Sequence, residues 1–217
     1  YALSPHTKNP HSLDSWAFYF QNAAGNRDVL KVEINYSMRE HIFPTEKRKI
    51  KSEILNADFQ INTLAEIELF GSKIKALIER AAARDLYDVH NIINHNAVNS
   101  DNKELLRKII IFYLTVGGKN EIILPFTFEN INKLKFPKIR STLVPVLRKS
   151  ENFDFETAKT EVINFLADLM KLPKNEIDFI KKFEQGIYQP ELLFDDAQII
   201  ARIKEHPMAI WRTKNIK

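Results

Sequence analysis

At 29–36 the apolar side chains of this chain recur every second position, and from Leu64 onward they recur at intervals of three and four. That single change of period limits the fold more tightly than any other feature. Residues 16–20 (Trp-Ala-Phe-Tyr-Phe) and 29–36 flank Gly25-Asn26-Arg27-Asp28, a turn-rich connection that predicts a β-hairpin. In its second arm Val32, Ile34 and Tyr36 share one face, which puts Lys31, Glu33 and Asn35 on the other. A basic run of Lys47, Arg48, Lys49 and Lys51 precedes one more short strand, expected at 59–63.

The helical pattern begins at 64–95, through Ile67, Phe70, Ile74, Leu77, Ile78, Ala81, Val89 and Ile92 without a proline, and predicts one long helix or two nearly continuous ones. Asn99, Ser100 and Asp101 offer an N-cap to 103–116, whose apolar residues cover most of the circumference, so that helix should be central. Gly117-Gly118 should end it, where a left-handed residue is cheapest on glycine. Further helices are expected at 155–171, with Asp154 as cap, at 176–188 and at 196–204, where Asp195-Asp196 reads as a cap. Pro173, Pro190 and Pro207 fall at segment starts, where proline is tolerated. The reading is an α+β fold: a β region over 1–63, of mixed or antiparallel strands, followed by a helical domain over 64–217.

Composition excludes several classes. With 44% apolar and 28% charged residues the chain has the material for a core, and no run approaches the ~18 apolar residues that a bilayer requires. The absence of cysteine removes disulfides, iron–sulfur clusters and thiolate zinc sites, and suits a reducing cytoplasm. Five glycines argue against Gly-rich phosphate loops, and no Gly-x-Gly-x-x-Gly, Walker loop or Gly-x-Ser-x-Gly elbow occurs. His90 and His95 miss the i,i+4 spacing of a helical zinc pair. Trp16 and Trp211 read as packing residues. The net charge of +4 is mild, but Lys133, Lys135, Lys138, Arg140, Arg148 and Lys149 follow one another with no acid among them, a solvated face or a surface turned to a polyanion.

The densest chemistry lies at 73–88. On one continuous helix, at about 100° per residue, Lys73, Arg80 and Arg84 would fall within about 40° of one another, with Asp88 about 40° further round. The row would lie beside the apolar stripe, where partly desolvated cations need anionic partners. Asp85 and Asp88 can supply part of that charge, and a phosphate held by Arg forks and a lysine the rest. The structural alternative is an Arg84–Asp88 pair with Lys73 and Arg80 snorkelling.

Lys73, Ala76-Leu77, Arg80, Arg84-Asp85 and Asp88 in this order resemble the hallmark of the AbiEii/AbiGii nucleotidyltransferase-like toxin family. Leu30 to Tyr36 with Arg39 resembles that family's strand before the helix, and the stretch from His206 to Trp211 its helical end, so the likeness runs from about residue 29 to 212. The resemblance implies a polymerase-β-like nucleotidyltransferase fold with a helical domain closing the nucleotide cleft. It also implies an NTP substrate, Mg²⁺, an acceptor such as RNA or a tRNA end, and a role as toxin in a type IV toxin–antitoxin or phage-defence pair with a cognate antitoxin. On this reading Lys73, Arg80 and Arg84 hold the triphosphate, and Lys73, Asp85 and Asp88 form the catalytic set. Glu33 then becomes the third metal-binding acid, although pairing with Lys31 or Arg39 is the simpler fate of an edge-strand glutamate.

The chain departs from the family pattern in having no Asp-x-Asp, and its only Gly-Ser, Gly71-Ser72, lies in the helical region. The expected acid pair should precede residue 1, and the chain as written should not transfer nucleotides. The rival is a non-catalytic helical module that binds RNA or a partner protein. A small-molecule nucleotidyltransferase would share the site and differ only in its acceptor.

Overall fold

The computed structural model describes residues 2–3, 13–36, 38–50, 59–118 and 121–216. Lys51 and the side chain of Lys138 lie outside the described residues. Two compact units divide the chain, residues 1–40 and 41–217.

The first unit is an antiparallel sheet of β1 (Ala2–Leu3), β2 (Leu13–Gln21) and β3 (Arg27–Asn35), in that order, so β3 is an edge. The hairpin forms where expected because Asn22 organises the turn. Its side-chain oxygen accepts from the Ala24 and Asn26 amides at 3.0 and 3.1 Å, and Gly25 takes the left-handed φ of 77° that the turn needs. Trp16 pairs with Val32 and Phe18 with Leu30 on one face, Ser15 with Glu33 and Ala17 with Lys31 on the other, and β3 is exposed along its whole length.

In the second unit a small antiparallel pair, β4 (Glu46–Lys49) and β5 (Gln60–Thr63), precedes helices α1 (Glu66–Arg80), α2 (Ala83–Asn94) and α3 (Ser100–Gly117). Asn99 caps α3 with a reciprocal capping box to Asn102, and Ile109 to Leu114 are all buried, so α3 is the central helix that its composition predicts. The helix ends at Gly117, but Gly118 is extended (φ −70°) rather than left-handed. Its glycine is required for another reason: a Cβ there would collide with the Leu114 carbonyl. Gly71 plays a similar part on α1, since a Cβ would run into the Ile109 side chain where α1 crosses α3.

Short helices α4 (Glu129–Asn132) and α5 (Phe136–Thr142) and a 3₁₀ turn at Val144–Val146 lead to α6 (Phe155–Leu169). Asp154 caps α6 through the amides of Glu156 and Thr157. The chain continues through α7 (Lys174–Glu184), α8 (Ala197–Ile203) and α9 (Pro207–Lys214). Asp196 caps α8, whereas Asp195 turns to Lys108 at 2.9 Å, so only one of that acidic pair is a cap. Trp211, read as a packing residue, is 61% exposed on α9. Among the described residues no helix is long and apolar enough to cross a membrane.

Two buried carboxylates tie this unit together. Glu68, fully buried on α1, accepts from the Ile42 and Phe43 amides at 2.8 and 3.2 Å and from the Tyr113 hydroxyl. Burial next to that carboxylate drives the Tyr113 pKa far above the ordinary phenol value. Glu176 of α7 is gripped by Arg107 of α3 through contacts of 2.8 to 3.1 Å. Even with the arginine beside it, burial raises the Glu176 pKa above the usual carboxylate value.

Candidate functional site

The row of charges at 73–88 is divided between two helices. After Arg80 the backbone turns left-handed at Ala81 (φ 45°, ψ 53°), Ala82 is extended, and α2 starts anew at Ala83. The common helical face expected for Lys73, Arg80 and Arg84 is therefore lost, and Lys73 and Arg80 lie on α1 while Arg84, Asp85 and Asp88 lie on α2. The break has a visible gain. It sets Asp85 in the first turn of α2, where the helix dipole favours an acid, and lets Arg80 close on it with two contacts of 2.7 Å. That bond, more than any other influence, raises the Arg80 pKa, and the Asp85 side chain is only 3% exposed.

Lys73 reaches across from α1 to Asp88 at 2.7 Å. Asp88 is thus taken by the lysine, and the Arg84–Asp88 pair of the structural alternative does not form. Arg84 instead points its Nε at the Thr142 carbonyl, 3.4 Å away at the end of α5. The two helices bring all five of these residues to one junction, and Arg84 is the member that no acid holds among the described residues.

Beside this junction lies an open hollow of about 520 Å³ between α2 and the turn at 143–151. Arg84, Tyr87 and Asp88 line one side and Arg148 and Glu151 the other. Its acids are committed: Asp88 to Lys73, and Glu151 to the Tyr87 hydroxyl, which donates to it at 3.0 Å. Its two guanidinium groups have no acid partner among the described residues. With Asp88 neutralised by Lys73, the hollow sets two open arginines against the one remaining charge of Glu151, and that excess suits an anion with several oxygens, because guanidinium forks match phosphate geometry.

Arg148 enters this site from about sixty residues beyond Arg84, and sequence reasoning saw it only as part of a basic run. The local signal that could have pointed to the hollow is Tyr87, one turn from Arg84 on the same helix. Of the remaining run, Lys133 pairs with Glu129 at 3.1 Å, while Lys135, Arg140 and Lys149 are exposed.

Glu33 is described within its own unit. Its side chain is 43% exposed on the edge strand and pairs with Lys31 at 2.7 Å. No group of three or more histidines and acids that could hold a metal ion occurs among the described residues. A magnesium site asks for several converging oxygens, and a single carboxylate already occupied by a lysine does not fit one.

A family model described as "Nucleotidyl transferase AbiEii toxin, Type IV TA system" covers residues 5–187. No curated protein and no solved structure matches the chain.

Proposed function

We propose a function from the premise that the chain belongs to the AbiEii nucleotidyl transferase toxin family of type IV toxin–antitoxin systems: its α1–α2 junction grips the phosphates of an NTP. The observation that carries this reading is the hollow in which Arg84 and Arg148 lack acid partners while Asp88 and Glu151 have theirs. Arg84 and Arg148 make the direct phosphate contacts. Lys73 and Arg80, through Asp88 and Asp85, hold α1 and α2 at the angle that points Arg84 into the hollow. The exposed cations Lys135, Arg140 and Lys149 continue the positive surface toward an RNA acceptor such as a tRNA end. Nucleotidyl transfer to the acceptor would be its activity, countered by a cognate antitoxin.

Titration of ATP and GTP into the chain, with and without Mg²⁺, tests the reading. An arginine–phosphate fork contributes about 1.5–3 kcal/mol, so Arg84→Ala should weaken binding by about ten- to a hundred-fold. The melting temperature should stay within about 2 °C of the parent, because Arg84 closes no buried pair. No saturable NTP binding, or equal losses of affinity and stability, rejects the proposal. The engagement of Glu33 with Lys31 favours a second reading, a non-catalytic module that binds RNA or a partner protein. NTP binding separates the two, since such a module would leave the nucleotide alone.

A further inference from the structure

A second recess in the helical unit, which shares no lining residue with the hollow, has different chemistry. It is a groove of about 760 Å³ between the loop at 124–128 and helices α6 and α7. One wall is Ile163 and Ala167 of α6 with the buried Met170 just past the helix end, spaced by whole turns next to the core residues Val162, Leu166 and Leu169. Ala167 is the reason that a recess exists, because a methyl group stands where its neighbours along the stripe, Ile163 and Met170, are long. Phe126 closes the opposite side.

The charged residues around this groove are unequal. Lys171 is held by Asp168 at 3.1 Å, and Glu129 accepts from Lys133 at 3.1 Å. Lys181, one turn beyond Ile177 on α7, has no acid partner among the described residues. The groove thus has an apolar body and one uncommitted positive charge. An apolar recess left to water is costly, and the volume lies in the ordinary range for small-molecule sites. A polyphosphate does not suit it, since the walls are apolar and a single cation is free.

We propose that this groove binds a small amphiphilic anion, an alkyl or aryl carboxylate or sulfonate, with its apolar body against Ile163, Ala167, Met170 and Phe126 and its head group on Lys181. The site is separate from the phosphate-binding hollow, so each can fail without the other.

Decanoate and the uncharged decanol, titrated calorimetrically into the full chain below their aggregation limits, test the assignment. Decanoate should saturate one site, and methyl resonances of Ile163, Met170 and Ile177 should shift with it. Ala167→Trp fills the recess and should weaken both ligands by about tenfold or more. Lys181→Glu should weaken decanoate by about tenfold and decanol by less than about twofold. Ala167 and Lys181 are surface positions, so both variants should keep the parent melting temperature. Non-saturable uptake, shifts elsewhere than the groove, affinity unchanged by Ala167→Trp, or equal losses of decanoate and decanol in Lys181→Glu each overturn the proposal. Arg84→Ala should leave decanoate binding as it is.

Discussion

The α1–α2 junction and the hollow beside it are built from the same residue types in opposite states. Arg80 faces a carboxylate that is nearly fully buried and closes on it with both arms, whereas Arg84, four residues later, faces a backbone carbonyl and an open space. Between α3 and α7, Arg107 repeats the closed state on Glu176. A closed arginine helps to hold the fold and has little left to give a ligand. An open one contributes little to the fold and keeps its donors for a partner. The distinction lies in the acid, not in the arginine.

The largest expected effect tests the closed limit. Arg107→Ala strands the Glu176 carboxylate in the interior and should cost about 3–5 kcal/mol, measured by urea unfolding. If the loss is under about 1 kcal/mol, closed pairs in this molecule are no more structural than open ones, and the comparison fails. Next comes the open limit. Arg84→Ala combined with Arg148→Ala should remove about 3 kcal/mol of NTP affinity, and the two single losses should add only in part if both forks hold one phosphate chain. Arg80→Ala, unlike Arg84→Ala, should act first on the fold and weaken NTP binding only through the positioning of Arg84. It leaves Asp85 buried without its donor, at about 1–2 kcal/mol of stability, the lower part of the usual range because the helix N-terminus still supports the acid.

Much of this arrangement could be read from the residues themselves. The hairpin, the central helix and the caps at Asn99 and Asp154 follow from local patterns, and the charges at Lys73, Arg80, Arg84, Asp85 and Asp88 stand out in the sequence as a cluster. Their pairing was hidden, because it depends on the break at Ala81. Ala81-Ala82-Ala83 is the best helix-forming composition available, and it carries no glycine or proline to signal a turn. The break is a tertiary event, favoured by the Arg80–Asp85 contact and by the packing of α2 beside α6. Glu68 was hidden for a related reason. An acid in the first turn of a helix reads as a solvated, dipole-favoured residue, and its burial is made tolerable by distant partners, the amides of Ile42 and Phe43 and the Tyr113 hydroxyl. Arg148 needed a contact across about sixty residues, which no periodicity carries.

The smallest expected effect concerns how a closed pair responds to pH. Burial raises the Glu176 pKa above 4.5, so the folded protein holds that proton more tightly than the unfolded chain does. The sign follows from linkage: protons bound preferentially by the native state favour it at low pH. This stabilising contribution is complete below the unfolded value and fades as pH rises through the folded one. Glu176→Gln removes the titration while keeping shape and a hydrogen-bonding oxygen for Arg107. Unfolding free energies for the two proteins, compared from about pH 4 to pH 7, should therefore show the parent losing stability relative to the glutamine variant as pH rises. The opposite slope would mean that Arg107 outweighs burial and that the closed pair favours its charged form. In that case the guanidinium is worth more to Glu176 than desolvation costs, and closed arginines in this molecule stabilise by charge rather than by filling a buried polar gap.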